Sequence, residues 1–171
     1  YISEINSLAG TILRTNTLGP NGGFSWASSA TLIGPKLFFS GAFNTINNIP
    51  RKNFAVFDVD KWQLTPIKVD VAGSNTYSKI INQSGHIYFA SSYDSLNGQY
   101  HPYFSIIDTT VGAVFPDKLH LNNDTPFGYP IDDFEGYERL NTFQIINDQL
   151  ILGGNFRNIN KKMFPSLAKL Q

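Results

Sequence analysis

The side chains best suited to chemistry are concentrated in one segment, residues 119–139. Aromatic rings and carboxylates are interleaved there, among them Phe127, Tyr129, Asp132, Asp133 and Tyr137. Rings beside carboxylates can stack on the apolar face of a sugar while the acids accept hydrogen bonds from its hydroxyl groups. We therefore take these five as candidate ligand-binding residues. A long surface loop packed by its own aromatics is the structural alternative.

Trp26 is the sixth candidate. It lies in a second loop, residues 19–27, which contains three glycines. An exposed indole there can serve as a platform for a ligand, because its ring is broad and its N–H is free to donate. A Trp beside a sheet also fills gaps in packing, so both interpretations stay open.

Other chemistries have little support. The acids of the segment offer the oxygen ligands that Ca²⁺ prefers, but the chain has no Asp-x-Asp-x-Asp-Gly loop. His86, His101 and His120 are too scattered for a zinc site. No Cys and no Gly-x-Ser-x-Gly sequence supply a nucleophile. We therefore predict that the protein is not an enzyme and has no cofactor; a calcium ion is possible but unsupported. The alternative is an enzyme that acts on polysaccharides, whose catalytic acids lie within residues 132–138.

Composition narrows the class of partner. Lys plus Arg and Asp plus Glu are 13 each, so the formal net charge is zero and the basic footprint of a nucleic-acid protein is absent. No apolar run is long enough to span a membrane. Charged residues are only 15% and aromatics 14% of the chain. This balance favours an extracellular or cell-surface protein whose partners are proteins or glycans.

Three gap-free copies of one pattern are the elements that must position these loops. They are residues 37–47, 87–97 and 150–160, and their final Asn residues are spaced by 50 and 63 positions. Each copy has a short apolar run, then small residues, an aromatic and the Asn of a tight turn. A period near fifty residues predicts a repeat architecture, in which each unit buries its apolar face against its neighbours.

Each copy predicts short antiparallel strands and no helix, since the apolar runs are short and rich in β-formers. The apolar run is the second strand of its unit. The other strands are a first at 30–33, 77–81 and 142–146, a third at 54–58, 104–108 and 167–171, and a polar fourth at 62–69 and 113–119.

Several positions recur for structural reasons. The small residues predict a close backbone approach, the Asn residues predict turns with positive φ, and the strand-end Asp residues predict hydrogen bonds to backbone N–H groups of the next turn. The recurring residues are Gly41, Phe43, Asn47, Asp58, Tyr93, Asn97, Asp108, Gly154, Phe156 and Asn160.

Together these patterns predict an all-β chain that forms a β-propeller, or part of one, from four-stranded antiparallel blades. The units are approximately 1–29 (partial), 30–76, 77–141 with an inserted loop at 119–141, and 142–171 (partial). Because residues 2–10 are similar to 104–112, both ends of the chain supply the same strand. We expect a segment of a larger propeller chain, with a self-contained three-unit domain as the alternative.

The string Gly153–Asn160 with Ser166–Leu170 resembles the units of the delta-60 repeat family of β-propeller proteins, and kelch-like propellers have similar units. Gly41–Asn47 followed by Phe54–Asp58 resembles them too. The middle copy departs from the pattern, with Ser91-Ser92 in place of Gly-Gly. The resemblance implies a large secreted or cell-surface bacterial protein that is used for binding, with no catalytic residues to carry over.

The predicted function is therefore a non-catalytic propeller segment that binds a protein or glycan partner. Two alternatives remain at this stage. One is the extracellular polysaccharide enzyme above, and the other is a structural repeat module of a surface assembly or filament.

Overall fold

The computed structural model describes residues 2–16, 25–73, 78–91, 93, 95–100, 103–115, 121–122, 139–147, 149–155, 158–159, 162–163 and 167–170. Throughout these residues the chain is all-β, built from several small antiparallel sheets. The candidate residues Phe127, Tyr129, Asp132, Asp133 and Tyr137 lie outside the described residues, as do the repeat positions Phe156 and Asn160.

The chain opens with a two-stranded hairpin, followed by the first repeat. The hairpin is β1 (Ile2–Ile5) and β2 (Ile12–Asn16). The first repeat contains β3 (Trp26–Ile33), β4 (Lys36–Ala42), β5 (Thr45–Ile46), β6 (Ile49–Pro50), β7 (Phe54–Asp58) and β8 (Gln63–Leu64). Strands β3, β4, β7 and β8 form one sheet in chain order, while β5 and β6 form a separate small hairpin.

The second and third repeats reproduce this plan. The segment before the second repeat forms β9 (Val71–Ala72), and the repeat itself contains β10 (Ser78–Gln83), β11 (His86–Ser91), β12 (Ser95–Leu96), β13 (Gln99–Tyr100) and β14 (Phe104–Asp108). The segment before the third repeat forms β15 (Leu121–Asn122), and the repeat itself contains β16 (Arg139–Ile146), β17 (Gln149–Asn155), β18 (Asn158–Ile159), β19 (Lys162–Met163) and β20 (Leu167–Leu170). Their main sheets have the orders β10-β11-β14 and β16-β17-β20.

The first three predicted strands of each repeat are confirmed, and the first strands of repeats one and three are longer than predicted. The predicted fourth strand is not formed at its predicted length. In repeat one it is reduced to Gln63–Leu64. The φ of 53° excludes Trp62 from the strand, and Ile67 and Val69 are buried in the core between the first two sheets instead of continuing it. In repeat two only Val114 bridges to Ile107, and residues 116–119 lie outside the described residues.

The three main sheets pack face to face and share two cores. Phe38, Phe54 and Val56 of the first sheet pack against Ile87 and Phe89 of the second. A second core joins the other face of the second sheet to the third and includes Phe104, Phe143 and Leu152. The first and second sheets are apolar on both faces for this reason, and a single sheet cannot bury its apolar surface without its neighbours.

A third core covers the outer face of the first sheet. Phe39, Phe43 and Phe57 are buried there, and Ile2 of the opening hairpin packs against them. The rings of Phe39 and Phe43 lie 5.5 Å apart, as those of Phe89 and Tyr93 lie 5.0 Å apart in the next repeat. Equivalent aromatics therefore have equivalent surroundings in the first two repeats.

A connecting strand links each repeat to the next in a way the sequence pattern did not predict. β9 pairs with β12, joining Val71 to Leu96, so the segment between repeats adds an edge to the small hairpin of the second repeat. β15 pairs with β18 in the same register, joining Leu121 to Ile159. Successive repeats are thus connected by backbone hydrogen bonds as well as by apolar packing.

Candidate binding surface

The small hairpins β5–β6, β12–β13 and β18–β19 project from the same end of the three sheets. The first strands of the sheets touch at this end through side chains. Ser28 and Ser78 share a hydrogen bond of 2.5 Å between their hydroxyls, and the Ser29 hydroxyl accepts one of 3.0 Å from the N–H of Ile80. Lys79 Nζ donates to Oγ1 of Thr142 at 3.0 Å. Because equivalent ends of the first strands meet, the three sheets have the same orientation. We call the end that carries the small hairpins the hairpin end.

The tips of the first two hairpins are exposed and carry no charge. Asn47, Asn48, Asn97 and Gly98 all have positive φ, between 47° and 77°, the conformation that the Asn-Gly dipeptide predicts for a two-residue hairpin turn. On the returning strands Ile49 is 47% exposed and Tyr100 is 76% exposed. The tips therefore present amide donors and acceptors beside an aliphatic and an aromatic side chain.

The second tip is tied firmly to the rest of the chain. Asn97 Oδ1 accepts a hydrogen bond of 2.9 Å from the N–H of Asp70, and the N–H of Asn97 donates back to the Asp70 carbonyl at 2.9 Å. In the first repeat the Asn47 amide donates to Asn16 Oδ1. A fixed tip loses little conformational freedom when a partner binds, which favours recognition.

Trp26 lies at the hairpin end. It is the first residue of β3, where it pairs with Ala42, and 41% of its surface is exposed. Its carbonyl oxygen runs so close to Gly41 that a Cβ there would lie 2.0 Å away. The small residue at Gly41 thus permits the backbone approach that the sequence predicted, while the Trp26 ring stays available at the surface.

The insertion starts and returns at the hairpin end of the third sheet. Near its start, β15 pairs with β18, joining Asn122 to Asn158. Near its end, β16 begins with Arg139 paired to Asn155. The five candidate residues within 123–138 are outside the described residues, but both strands that flank them belong to the same end as Trp26 and the hairpin tips.

The opposite end of the sheets holds the repeated acids in structural roles. Asp58 Oδ1 accepts a hydrogen bond of 2.9 Å from the N–H of Lys61, and this bond holds the pKa of Asp58 below its ordinary value. Asp108 Oδ1 accepts hydrogen bonds from the Thr110 hydroxyl and from the N–H groups of Val111 and Thr110, which lower its pKa. Each carboxylate therefore accepts hydrogen bonds within the turn that follows it, as the sequence predicted.

Two further features, a metal site and a membrane-spanning helix, were sought among the described residues. No group of three or more His, Cys, Asp or Glu side chains in that part of the chain is arranged to hold a metal ion. Within the same residues, no helix has the length and apolar character to cross a membrane.

Sequence reasoning missed Ile49 and Tyr100 as surface residues. Both residues follow the Asn-rich turns, and the turn dipeptides could have identified them. A two-residue turn forms the exposed tip of a hairpin, so the residues of the strand that follows it lie near that tip. It also missed the pairing of β9 with β12, because two-residue strands leave no periodicity to detect.

No protein-family model matches the sequence, and no curated protein or solved structure shows significant similarity to it. The resemblance to the delta-60 repeat family therefore stays a prediction.

Proposed function

We propose that this chain is a non-catalytic β-propeller segment that binds a protein or glycan partner through its hairpin end. The observation that carries the proposal is the pair of equivalent hairpins β5–β6 and β12–β13, whose tips are exposed and uncharged. Trp26 and the flanks of the aromatic and acidic insertion lie at the same end. The opposite end, by contrast, contains turns whose polar groups bond to one another.

The chemistry of the tips suits an uncharged polar partner. Tyr100 offers a rigid aromatic surface with a hydroxyl at its edge, and such side chains supply contact area with little entropy loss. Asn48 offers an amide that can donate and accept, whereas the side chains of Asn47 and Asn97 hold the tips in place. Loops that function in binding are commonly held on a rigid scaffold, and here the scaffold is three packed sheets.

The propeller arrangement is supported by the way the first strands meet. Ser28 contacts Ser78, and Lys79 contacts Thr142, so the same strand of each unit faces the same strand of the next. In a propeller these first strands lie around the central axis. A linear stack of sheets is the competing arrangement.

Distances between spin labels can distinguish the two arrangements. The chain has no Cys, so labels can be placed at the equivalent positions Leu32, Asn82 and Ile145 without background. Around an axis, the distance from the first to the third label is clearly shorter than twice the distance between neighbours. A value close to twice that distance indicates a linear stack and contradicts the propeller.

Binding is tested with the chain on a glycan array and in a pull-down against extracellular proteins, with Tyr100→Ser and Trp26→Ser as the hairpin-end variants. We expect a ligand whose retention falls in both variants. Val111→Ser is the matched control, because Val111 is 69% exposed at the opposite end of β14. Unchanged binding in both hairpin-end variants, or a loss in Val111→Ser alone, contradicts the proposed surface.

An extracellular or cell-surface location is part of the proposal and is supported by the low charge content and the aromatic, Asn-rich composition. The polysaccharide-enzyme alternative depends on acids within 132–138, outside the described residues, and stays a prediction. Turnover of a polysaccharide panel that is lost in Asp133→Asn would favour it.

A further inference from the structure

The tip of the second hairpin, between β12 and β13, consists of Asn97 and Gly98. Both residues are exposed and have positive φ, 50° for Asn97 and 77° for Gly98. The tip of the first hairpin has the same turn at Asn47 and Asn48, with φ values of 47° and 65°. The residue that follows the first Asn is thus a glycine in one tip and a residue with a side chain in the other.

The carboxamide of an Asn can react with the backbone of its own chain. The amide nitrogen of the next residue loses its proton and attacks Cγ, and the new C–N bond closes a five-membered succinimide ring. The bond from Cγ to Nδ2 then breaks, and this nitrogen takes up a proton and leaves as ammonia. Water opens the ring at either carbonyl, which gives an aspartate or an isoaspartate. The sequence of steps consumes only water and needs no oxidant or reductant.

Gly98 leaves the attacking nitrogen accessible. It has no Cβ, so no side chain stands beside the N–H that reacts. Outside the strands, the backbone hydrogen bonds of the described residues include none donated by the Gly98 N–H. At the first tip, the side chain of Asn48 begins at the Cα next to the equivalent nitrogen and crowds the same approach.

A hydrogen bond prepares the carboxamide of Asn97 for this attack. The N–H of Asp70 donates to Asn97 Oδ1 at 2.9 Å. Negative charge develops on this oxygen when the nitrogen adds to Cγ, and a fixed N–H donor stabilises it, as in an oxyanion hole. The donor is itself held, because the Asn97 N–H donates back to the Asp70 carbonyl at 2.9 Å. At the first tip, by contrast, Asn47 Nδ2 donates to Asn16 Oδ1, and this bond holds the group that would have to leave.

We propose that Asn97 is a site of spontaneous deamidation, with water as the co-reactant, and that this modification changes the chemistry of the hairpin end. The tip formed by residues 95–100 carries no charged side chain before the reaction and one carboxylate after it. The reaction needs no binding partner, so it does not depend on the function proposed for this end of the sheets.

The two products differ in their effect on the fold. Aspartate leaves the main chain unchanged and keeps an oxygen that can accept from the Asp70 N–H. Isoaspartate inserts the side-chain methylene into the main chain next to Leu96, which pairs with Gln99 across the turn and with Val71 of the connecting strand. An extra main-chain atom disrupts the ladder locally, as an inserted residue does in a bulge. Isoaspartate therefore loosens the link between the first two repeats, whereas aspartate changes only the charge.

The test follows the loss of the carboxamide in the intact, folded chain during long incubation at pH 8, by peptide mapping with mass spectrometry. We expect conversion at Asn97 to be at least about tenfold faster than at Asn47, and to slow at pH 6 because the attacking nitrogen must lose a proton. Asn21-Gly22, a further Asn-Gly sequence outside the described residues, is measured in its own peptide. Equal rates at Asn97 and Asn47, or conversion of Asn97 only after unfolding in urea, overturn the proposal.

Reciprocal variants exchange the two turns. Gly98→Asn gives the second tip the residue that the first tip already holds at a φ of 65°, so we expect it to fold and Asn97 to stay intact. Asn48→Gly should raise the rate at Asn47, but not to that of Asn97, because Asn47 Nδ2 is held by Asn16. An unchanged rate in either variant contradicts the role of the glycine.

Asn97→Asp is the control for the charge without the change in the main chain. The isoaspartate form is separated from the aspartate form by chromatography, and thermal melts compare it with Asn97→Asp and with the untreated chain. We expect the isoaspartate form to melt at the lowest temperature of the three. A melting temperature equal to that of Asn97→Asp would contradict the proposed loosening of the link between the repeats.

Discussion

The hydroxyl of Tyr93 donates a hydrogen bond of 2.8 Å to Oγ of Ser105 inside the core between the first two sheets. Both residues are at most 2% exposed. At the equivalent positions the first repeat has Phe43 and Ala55, which are apolar and also buried. The polar pair thus occurs as a unit, because a buried hydroxyl requires a partner.

Tyr93→Phe is expected to destabilise the fold by roughly 1–3 kcal/mol, since the Ser105 hydroxyl then lacks this donor. The double variant Tyr93→Phe with Ser105→Ala recreates the pair of the first repeat, and we expect it to recover most of the loss. Urea unfolding of the four proteins completes the cycle. Additive effects of the two changes would contradict the coupling.

Gly41→Ala is expected to be among the most damaging single-methyl substitutions in the described residues. A Cβ at Gly41 would lie 2.0 Å from the Trp26 carbonyl oxygen and 2.7 Å from Ala27 Cα, which are backbone atoms. We expect a loss of about 3 kcal/mol or more. Gly153→Ala is the matched control, because its nearest neighbour is the Thr142 methyl group at 3.1 Å, which can move. Similar unfolding midpoints for the two variants would refute the steric argument.

Asn48 adopts a φ of 65° in a two-residue turn, where the equivalent residue of the next repeat is Gly98. Asn48→Gly is expected to preserve or raise stability, whereas Asn48→Ala should cost about 1 kcal/mol, because Ala pays for the left-handed conformation. Thermal melts of both variants test this. Asn48→Ala melting at or above the wild-type temperature would show that the turn is not under this constraint.

Asp108 makes stability depend on pH in the acid range. Its pKa is lowered in the folded state, first by the Thr110 hydroxyl and then by the N–H of Val111. The resulting stability is complete above the ordinary Asp value of 3.8 and is lost as the pH falls through the lowered folded-state value.

Asp108→Asn keeps an oxygen acceptor for the turn, as Asn6 does in the opening hairpin. We expect a midpoint near that of the wild type at pH 7 and a shallower loss of stability below pH 4. Asp108→Ala should already be less stable at pH 7. Urea unfolding between pH 7 and pH 3 makes the comparison, and identical acid limbs for wild type and Asp108→Asn would exclude the proposed linkage.

The strands could be assigned from the sequence because each repeat has the same local pattern of apolar, small and turn-forming residues. Leu37–Phe39 and Ile87–Phe89 are too short for helices and are followed by small residues and an Asn turn, and each becomes the second strand of its sheet. The similarity of residues 2–10 to 104–112 likewise predicted a strand of the third type in that segment, and β1 (Ile2–Ile5) is that strand.

The fourth strands and the connecting strands could not be assigned in this way. Residues 62–69 have strand-like composition, but only Gln63–Leu64 form a strand. The positive φ of Trp62 excludes that residue, and Ile67 and Val69 are buried in the core between the first two sheets. Val71 pairs with Leu96 only because the second sheet packs against the first, a distance of 25 residues along the chain that no local pattern encodes.

The sequence by itself determined the repeat, its three principal strands and the Asn turns, because apolar runs and left-handed turn residues act over a few neighbours. Only the tertiary structure decided which end of the sheets gathers the hairpin tips, Trp26 and the flanks of the insertion. Those relations arise when the apolar faces of separate repeats are buried against one another, and that packing brings together residues about fifty positions apart.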